Sequence, residues 1–194
     1  MTSTANKAPY DIIDRTSEIE RILEQRVMVL DGAWGSMLQS YNLSEAEFRG
    51  DRFADHALDV QGCIDLLVLT QPDIVEDVQR QYLDAGADIL ETNTFTANQY
   101  GLAEYDLQEH VYEINREAAT IARRIADEYT DGNPGKPRFV AGVLGPLNKM
   151  LSLSPDVGDP GYREVTFDEV VAAYTECARA LVAGGAQMLL VETI

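Results

Sequence analysis

Cysteine, histidine and positive charge are scarce in this chain. Only two of its 194 residues are Cys and two are His. Cys63 and Cys177 stand alone, without a CxxC or another metal-ligand spacing, which argues against a disulfide framework and leaves reduced thiols as the simpler reading. Lys and Arg total 15 against 33 Asp and Glu, a formal charge of -18. That excess repels nucleic-acid phosphates and anionic membrane surfaces, so neither is an expected partner. No apolar run reaches the roughly 18 residues of a membrane span. The opening "MTSTANKAPYDIID" lacks the basic-then-apolar order of a signal peptide, and a soluble, cytoplasmic protein is expected.

What is present suits a single core, since 45% of residues are hydrophobic. A tail over 1–16 is followed by a helix from Ser17, which has capping-box spacing to Glu20, with Ile19, Ile22 and Leu23 on one face. The short "VMVL" (27–30) before "DGAWGS" reads as a buried first strand entering a glycine-rich loop. Residues 40–70 show no sustained period. Then Thr70 and Asp73 have cap spacing, Pro72 suits a first turn, and Ile74, Val75, Val78 and Tyr82 share a helical face that Gly86 stops. Residues 87–92 make a second strand, 108–130 a long helix broken by "DGNPGKP", and "RFVAGVL" (138–144) a third strand. Thr166 and Glu169 repeat the cap spacing before a helix that ends at Gly184-Gly185, and "MLLVE" is a fourth, apolar strand. Two segments, "YLDAGADILETN" and "LVAGGAQMLLVET", repeat one plan of helix end, Gly, strand and acid.

Parallel strands alternating with helices predict an α/β fold. "DGAWGS" lacks the G-x-G-x-x-G spacing of a dinucleotide fold, and four strands are the first half of a (β/α)8 TIM barrel, whose chemistry sits at the C-terminal ends of its strands. Those ends carry Asp31, the segment Glu91 to Phe95, Gly145 with Asn148, and Glu192. Asp31 before Gly32 is also ordinary turn chemistry, and Glu91 and Asn93 could simply cap a loop. Glu192 closes four apolar residues, so its charge must be paired, hydrated or functional. Gly32 and Gly35 around Ala33-Trp34 allow close backbone approach to a small ligand. Cys63 and Cys177 read as small buried residues, and His56 and His110 as surface residues.

At "VLDGAWGSML", "AGADILETNTFTAN", "VAGVLGPLNKMLSLSPDV" and "GGAQMLLVETI" the sequence resembles the homocysteine-binding domain of zinc-dependent homocysteine S-methyltransferases. "DLLVLTQPDIV" and "GPLNKMLSLSPDVGDPGYREVTFDEV" are most similar to the N-terminal module of the cobalamin-dependent methionine synthase family. Trp34 and Ile64 depart from frequent family residues, at positions expected to lie outside the chemistry.

The resemblance implies an enzyme that moves a methyl group from methylcobalamin, regenerated from methyltetrahydrofolate on a further module, to the zinc-held thiolate of homocysteine. It implies that Asp31 and Glu192 bind the substrate amino group, and that Gly32, Ala33 and the loop Asn93, Thr94, Phe95 shape the amino-acid end of the pocket. In that family the three cysteines that bind zinc would fall beyond residue 194. Residues 17–194 are then expected to be the front part of a homocysteine-binding barrel, cut at its fourth strand, inactive alone and with no zinc or cobalamin of its own. The cobalamin- and folate-binding modules of a longer chain are its expected partners, and unpaired strand edges predict self-association as a dimer or larger. Alternatives are a cobalamin-independent transfer from betaine or S-methylmethionine, a hydrolase using Asp31 and Glu192, and a stand-alone acidic binding module.

Overall fold

A computed structural model describes residues 14–194, so all but the last three residues of the expected tail lie outside the described residues. Three parallel strands, β1 (Ile89–Glu91), β2 (Phe139–Leu144) and β3 (Met188–Val191), form one sheet in that order. Ile89 pairs with Phe139 and Leu144 with Val191. Every residue of β2 is buried, as an apolar central strand with helices packed on it requires.

The expected first strand is corrected. Residues 27–30 lie parallel beside β1 but make one bridge, Leu30 to Ile89, and Val27 and Val29 are exposed. The physical reason lies at Val29, whose N–H donates to the Asp88 carboxylate at 2.9 Å, so that the segment is held to β1 only by the Asp31 N–H on the Ile89 carbonyl and by the Asp88 and Ile89 N–H groups on the Val29 carbonyl. The fourth strand forms, but as an edge: Leu189 and Val191 are exposed and alternate with half-buried Met188 and Leu190.

Eight α-helices accompany this sheet among the described residues: α1 (Thr16–Leu23), α2 (Trp34–Gln39), α3 (Glu45–Arg49), α4 (Leu67–Thr70), α5 (Pro72–Asp84), α6 (Gln99–Ala103), α7 (Val111–Gly132) and α8 (Phe167–Gly184). Both long periodic segments appear as expected. In α7, Ile114, Ala118, Ile121 and Ile125 are buried, and α8 carries the Thr166–Glu169 capping box. The two helices pack so closely that a Cβ on Gly184 would fall 2.2 Å from the Arg116 carbonyl oxygen. Gly185 then takes the left-handed turn into β3 at φ 105°.

Two expected caps are absent. The N-cap of α1 is Arg15 and that of α5 is Gln71, neither with a side-chain cap bond; Thr70 instead donates back to the Leu66 carbonyl. The stretch 40–70 holds helices of only four or five residues, too short to show a period. They are tied together by Glu45, which accepts from the Val60 and Gln61 N–H groups, and by Arg49, which donates to the His56 and Leu58 carbonyls. No described helix is long and apolar enough to cross a membrane.

Candidate functional site

A cavity of about 360 Å³ opens at the C-terminal ends of the strands. Ala33, Asn93, Thr94, Phe95 and Glu192 line it, joined by Trp34, Gly35, Ile64, Glu91, Thr92 and Val143. Five of the seven residues expected at the site thus share one wall system. Asp31 and Gly32 are not among the lining residues.

Each wall has a local cause. After β1 the chain turns out of the sheet, yet Thr92 and Thr94 continue the ladder by side chain: the Val143 N–H donates to Thr92 Oγ1, and Thr94 Oγ1 donates to the Val143 carbonyl, both at 2.9 Å. Asn93 Nδ2 donates to the Ile64 carbonyl at 2.7 Å, which ties the loop to the segment before α4. Phe95 stands at the rim, with its carbonyl so close to Gly145 that a Cβ there would lie 2.0 Å away. Only glycine fits that position. Before α2 the left-handed residue is Ala33, at φ 53°, whereas Gly32 and Gly35 have open space where a Cβ would stand. The strained backbone therefore sits between the glycines rather than on them.

Trp34 and Ile64, where the sequence departs from frequent family residues, both line the cavity. Tertiary packing brings Ile64 there through the Asn93 bond. Trp34 is nine-tenths buried, and its Nε1 has no acceptor among the described residues.

The electrostatics are one-sided. Among the described residues, no Lys, Arg or His lines the cavity. Burial pushes the Glu91 carboxyl up to about 7, with the neighbouring charge of Glu192 adding to it. Asp31 lies behind the wall, 8% exposed, where burial pushes its carboxyl up to about 8; the charge of Glu91 adds to this, against a bond from the Glu91 N–H to Asp31 Oδ1 at 2.8 Å. Asp31 Oδ2 is buried with no partner among the described residues. Glu91 was a strand-end candidate in the sequence, but nothing local separated it from a loop cap.

The other singled-out residues stay outside the cavity. Cys63 and Cys177 are buried, and desolvation pushes each thiol up to about 12. The expectation of surface histidines is corrected: both are half-buried. His56 Nε2 lies 2.7 Å from the Tyr105 carbonyl, and His110 meets the Phe53 ring edge-on at 5.2 Å.

A profile of the homocysteine S-methyltransferase family matches residues 28–194. Among solved structures, the metallated form of the homocysteine methyltransferase MmuM from Escherichia coli is similar with a TM-score of 0.67, covering 91% of this chain and 57% of that one at 22% identity. The oxidized form gives 0.65, with 88% and 55% coverage at 21% identity. At such identity the likeness speaks for the fold alone. The chain spans about half the length of these solved structures.

Proposed function

Because the chain belongs to the homocysteine S-methyltransferase family, we propose that it carries the amino-acid-binding side of a site at which a methyl group passes to the sulfur of homocysteine. The observation that carries this reading is the cavity itself: segments after three separate strand positions, "DGAWGS", "ETNTF" and "ET", meet at one mouth. In this reading residues 17–194 are the first half of a (β/α)8 barrel, with the site at the C-terminal strand ends. The half-length coverage of the solved structures and the exposed apolar residues of 27–30 and β3 support it, since further strands would cover both edges.

The roles follow from position. Glu192 offers a carboxylate to the substrate ammonium, and Phe95 offers an apolar face to its methylenes. The backbone around Gly32 and Ala33, with Asn93 and Thr94, shapes the end that holds the amino acid, and Asp31 supports that wall from behind through the Glu91 N–H.

The methyl donor in this reading is methylcobalamin, recharged from methyltetrahydrofolate on other modules, as in methionine synthases. Betaine and S-methylmethionine are the alternative donors. These residues do not by themselves fit zinc: among the described residues no three His, Cys, Asp or Glu side chains are grouped to hold a metal, and both thiols are buried and strongly protonated. The zinc and the cobalamin implied by the resemblance would be held by other parts of a longer protein.

Titration of the purified chain with L-homocysteine, followed by NMR, tests the proposal. Weak, saturable binding with shifts at Ala33, Phe95 and Glu192 is expected, without methionine formation from methylcobalamin. Absence of binding at millimolar homocysteine would sink it, and zinc-dependent turnover by these residues alone would show the half-site reading wrong.

A further inference from the structure

At the start of β2, Arg138 is a buried cation without an acid of its own. It is 6% exposed, its Nη1 donates to the Lys136 carbonyl, and its Nε has no acceptor among the described residues. The acid whose charge it feels is Asp88, but that carboxylate already accepts from Arg26 and the Val29 N–H and has Lys136 at 4.0 Å. Arg15 pairs with Glu18 and donates to the Arg138 carbonyl. Burial lowers the Arg138 guanidinium below its ordinary range; the charge of Asp88 opposes this and that of Arg26 adds to it. Four cations, Arg15, Arg26, Lys136 and Arg138, thus gather at this end of the sheet around two acids, in a chain of net charge -18.

Arg138 also lines a cavity of about 570 Å³ between the C-terminal ends of α5 and α7. The cavity is remote from the strand C-terminal ends and shares no lining residue with the site there. Its other polar walls are Arg80 and Glu128, bonded to each other, Asp84, which accepts from the Tyr129 hydroxyl, and Asn133. Arg80 therefore has its acid, and Arg138 is the cation left over. The Nε and Nη2 of a guanidinium share one edge, which takes the two oxygens of a carboxylate side by side. With Nη1 spent on Lys136, that edge is the one left for a ligand. Asp84 and Glu128 on the same walls, and the negative ends of two helices, work against a dianion such as phosphate.

We propose that this cavity is a second binding site, for a small monoanionic carboxylate held on the Nε and Nη2 edge of Arg138. A ligand there supplies the missing acceptor to a buried donor and the missing charge to a buried cation, so it stabilises the folded chain by mass action. The site is independent of methyl transfer, and its occupant meets the first residues of the central strand rather than the reacting sulfur.

Acetate is the probe, compared with chloride and inorganic phosphate at matched ionic strength, because any salt screens the charges of so acidic a chain. In nitrogen-detected NMR of the wild type, the Arg138 Nε–H resonance should shift and saturate with acetate, with half-saturation in roughly the tens of millimolar, as for one bidentate pair. Phosphate should bind at least about threefold more weakly, and chloride should give no saturable shift. Arg138→Lys keeps the charge and loses the fork, so acetate should weaken by about fivefold or more, followed at the Tyr129 and Asn133 amides. The urea midpoint should rise with acetate beyond its rise with chloride in the wild type and not in Arg138→Lys. An Arg138 resonance that moves alike in all three salts, a preference for phosphate, or wild-type acetate affinity in Arg138→Lys would each overturn the inference. If Arg138→Lys does not fold, the wild-type resonance decides alone. Homocysteine titration at the other cavity is a separate measurement, and its outcome leaves this one untouched.

Discussion

The two ends of this sheet treat their carboxylates in opposite ways. At the N-terminal end, buried Asp88 accepts from the two terminal guanidinium nitrogens of Arg26 at 2.8 Å and from the Val29 N–H, with Lys136 at 4.0 Å. Burial alone would raise its pKa, but Arg26 and the Val29 N–H outweigh burial and hold the carboxyl below its ordinary range. At the C-terminal end, burial raises both Asp31 and Glu91, the charge of Glu91 adding to it at Asp31 and that of Glu192 adding to it at Glu91, with no cation lining the cavity among the described residues. A fold that can pair a buried acid at one end leaves acids unpaired at the other. The unpaired end is where a charged ligand has something to gain, and in α/β barrels it is the end that carries chemistry.

The comparison breaks most visibly at Asp88. Asp88→Asn should destabilise the chain by roughly 2 kcal/mol at neutral pH, a value discounted because Arg26 is half exposed. It should also free residues 27–30 from β1, read as loss of amide protection there. The sign follows from the lowered pKa: Asp88 contributes stability above the ordinary carboxylate range and loses it as pH falls through its folded value. Urea unfolding gives the answer, and an unchanged midpoint would mean the pair is ornamental.

Asp31 gives the opposite sign. Its proton is held more tightly in the folded state, so its contribution is complete in acid below the ordinary value of 3.8 and fades as pH rises through about 8. Asp31→Asn, which can keep the bond from the Glu91 N–H, should therefore stabilise the chain at about pH 8 by on the order of 1–2 kcal/mol and change little at about pH 5. Equal effects at both pH values would show that the buried acid is not strained.

The smallest expected effect sharpens the comparison at the cavity. Glu192→Gln removes the charge that adds to burial at Glu91, so Glu91 should titrate lower than about 7. Overall stability should change by no more than about 0.5 kcal/mol, as for a half-exposed side chain. An unmoved Glu91 resonance would show that burial accounts for the shift without its neighbour.

Much of this was legible in the residues. The long helices α7 and α8 were readable because four or more apolar residues recur on one face, and the Thr166–Glu169 box marked a start that the structure keeps. Ala33, Asn93, Thr94, Phe95 and Glu192 were readable as one site because each follows a strand-like run. The Ser17 and Thr70 caps misled, since cap spacing states what a side chain can reach and not which residue begins the helix. The small helices of 40–70 were hidden because one turn shows no period.

The sequence by itself determined the order of the long helices α5, α7 and α8 and of the strands β1 to β3, the acidic character of the chain and the strand-end segments that meet in the cavity, because local propensity and periodicity act over neighbouring residues. Only the tertiary structure decided that the Val29 N–H is taken by the Asp88 carboxylate, that Ile64 and Trp34 reach the cavity, and that Glu91 and Glu192 line it while Asp31 is enclosed behind them. The reason is physical: desolvation and Coulomb coupling depend on which atoms surround a carboxylate in space, and chain neighbours do not fix that environment.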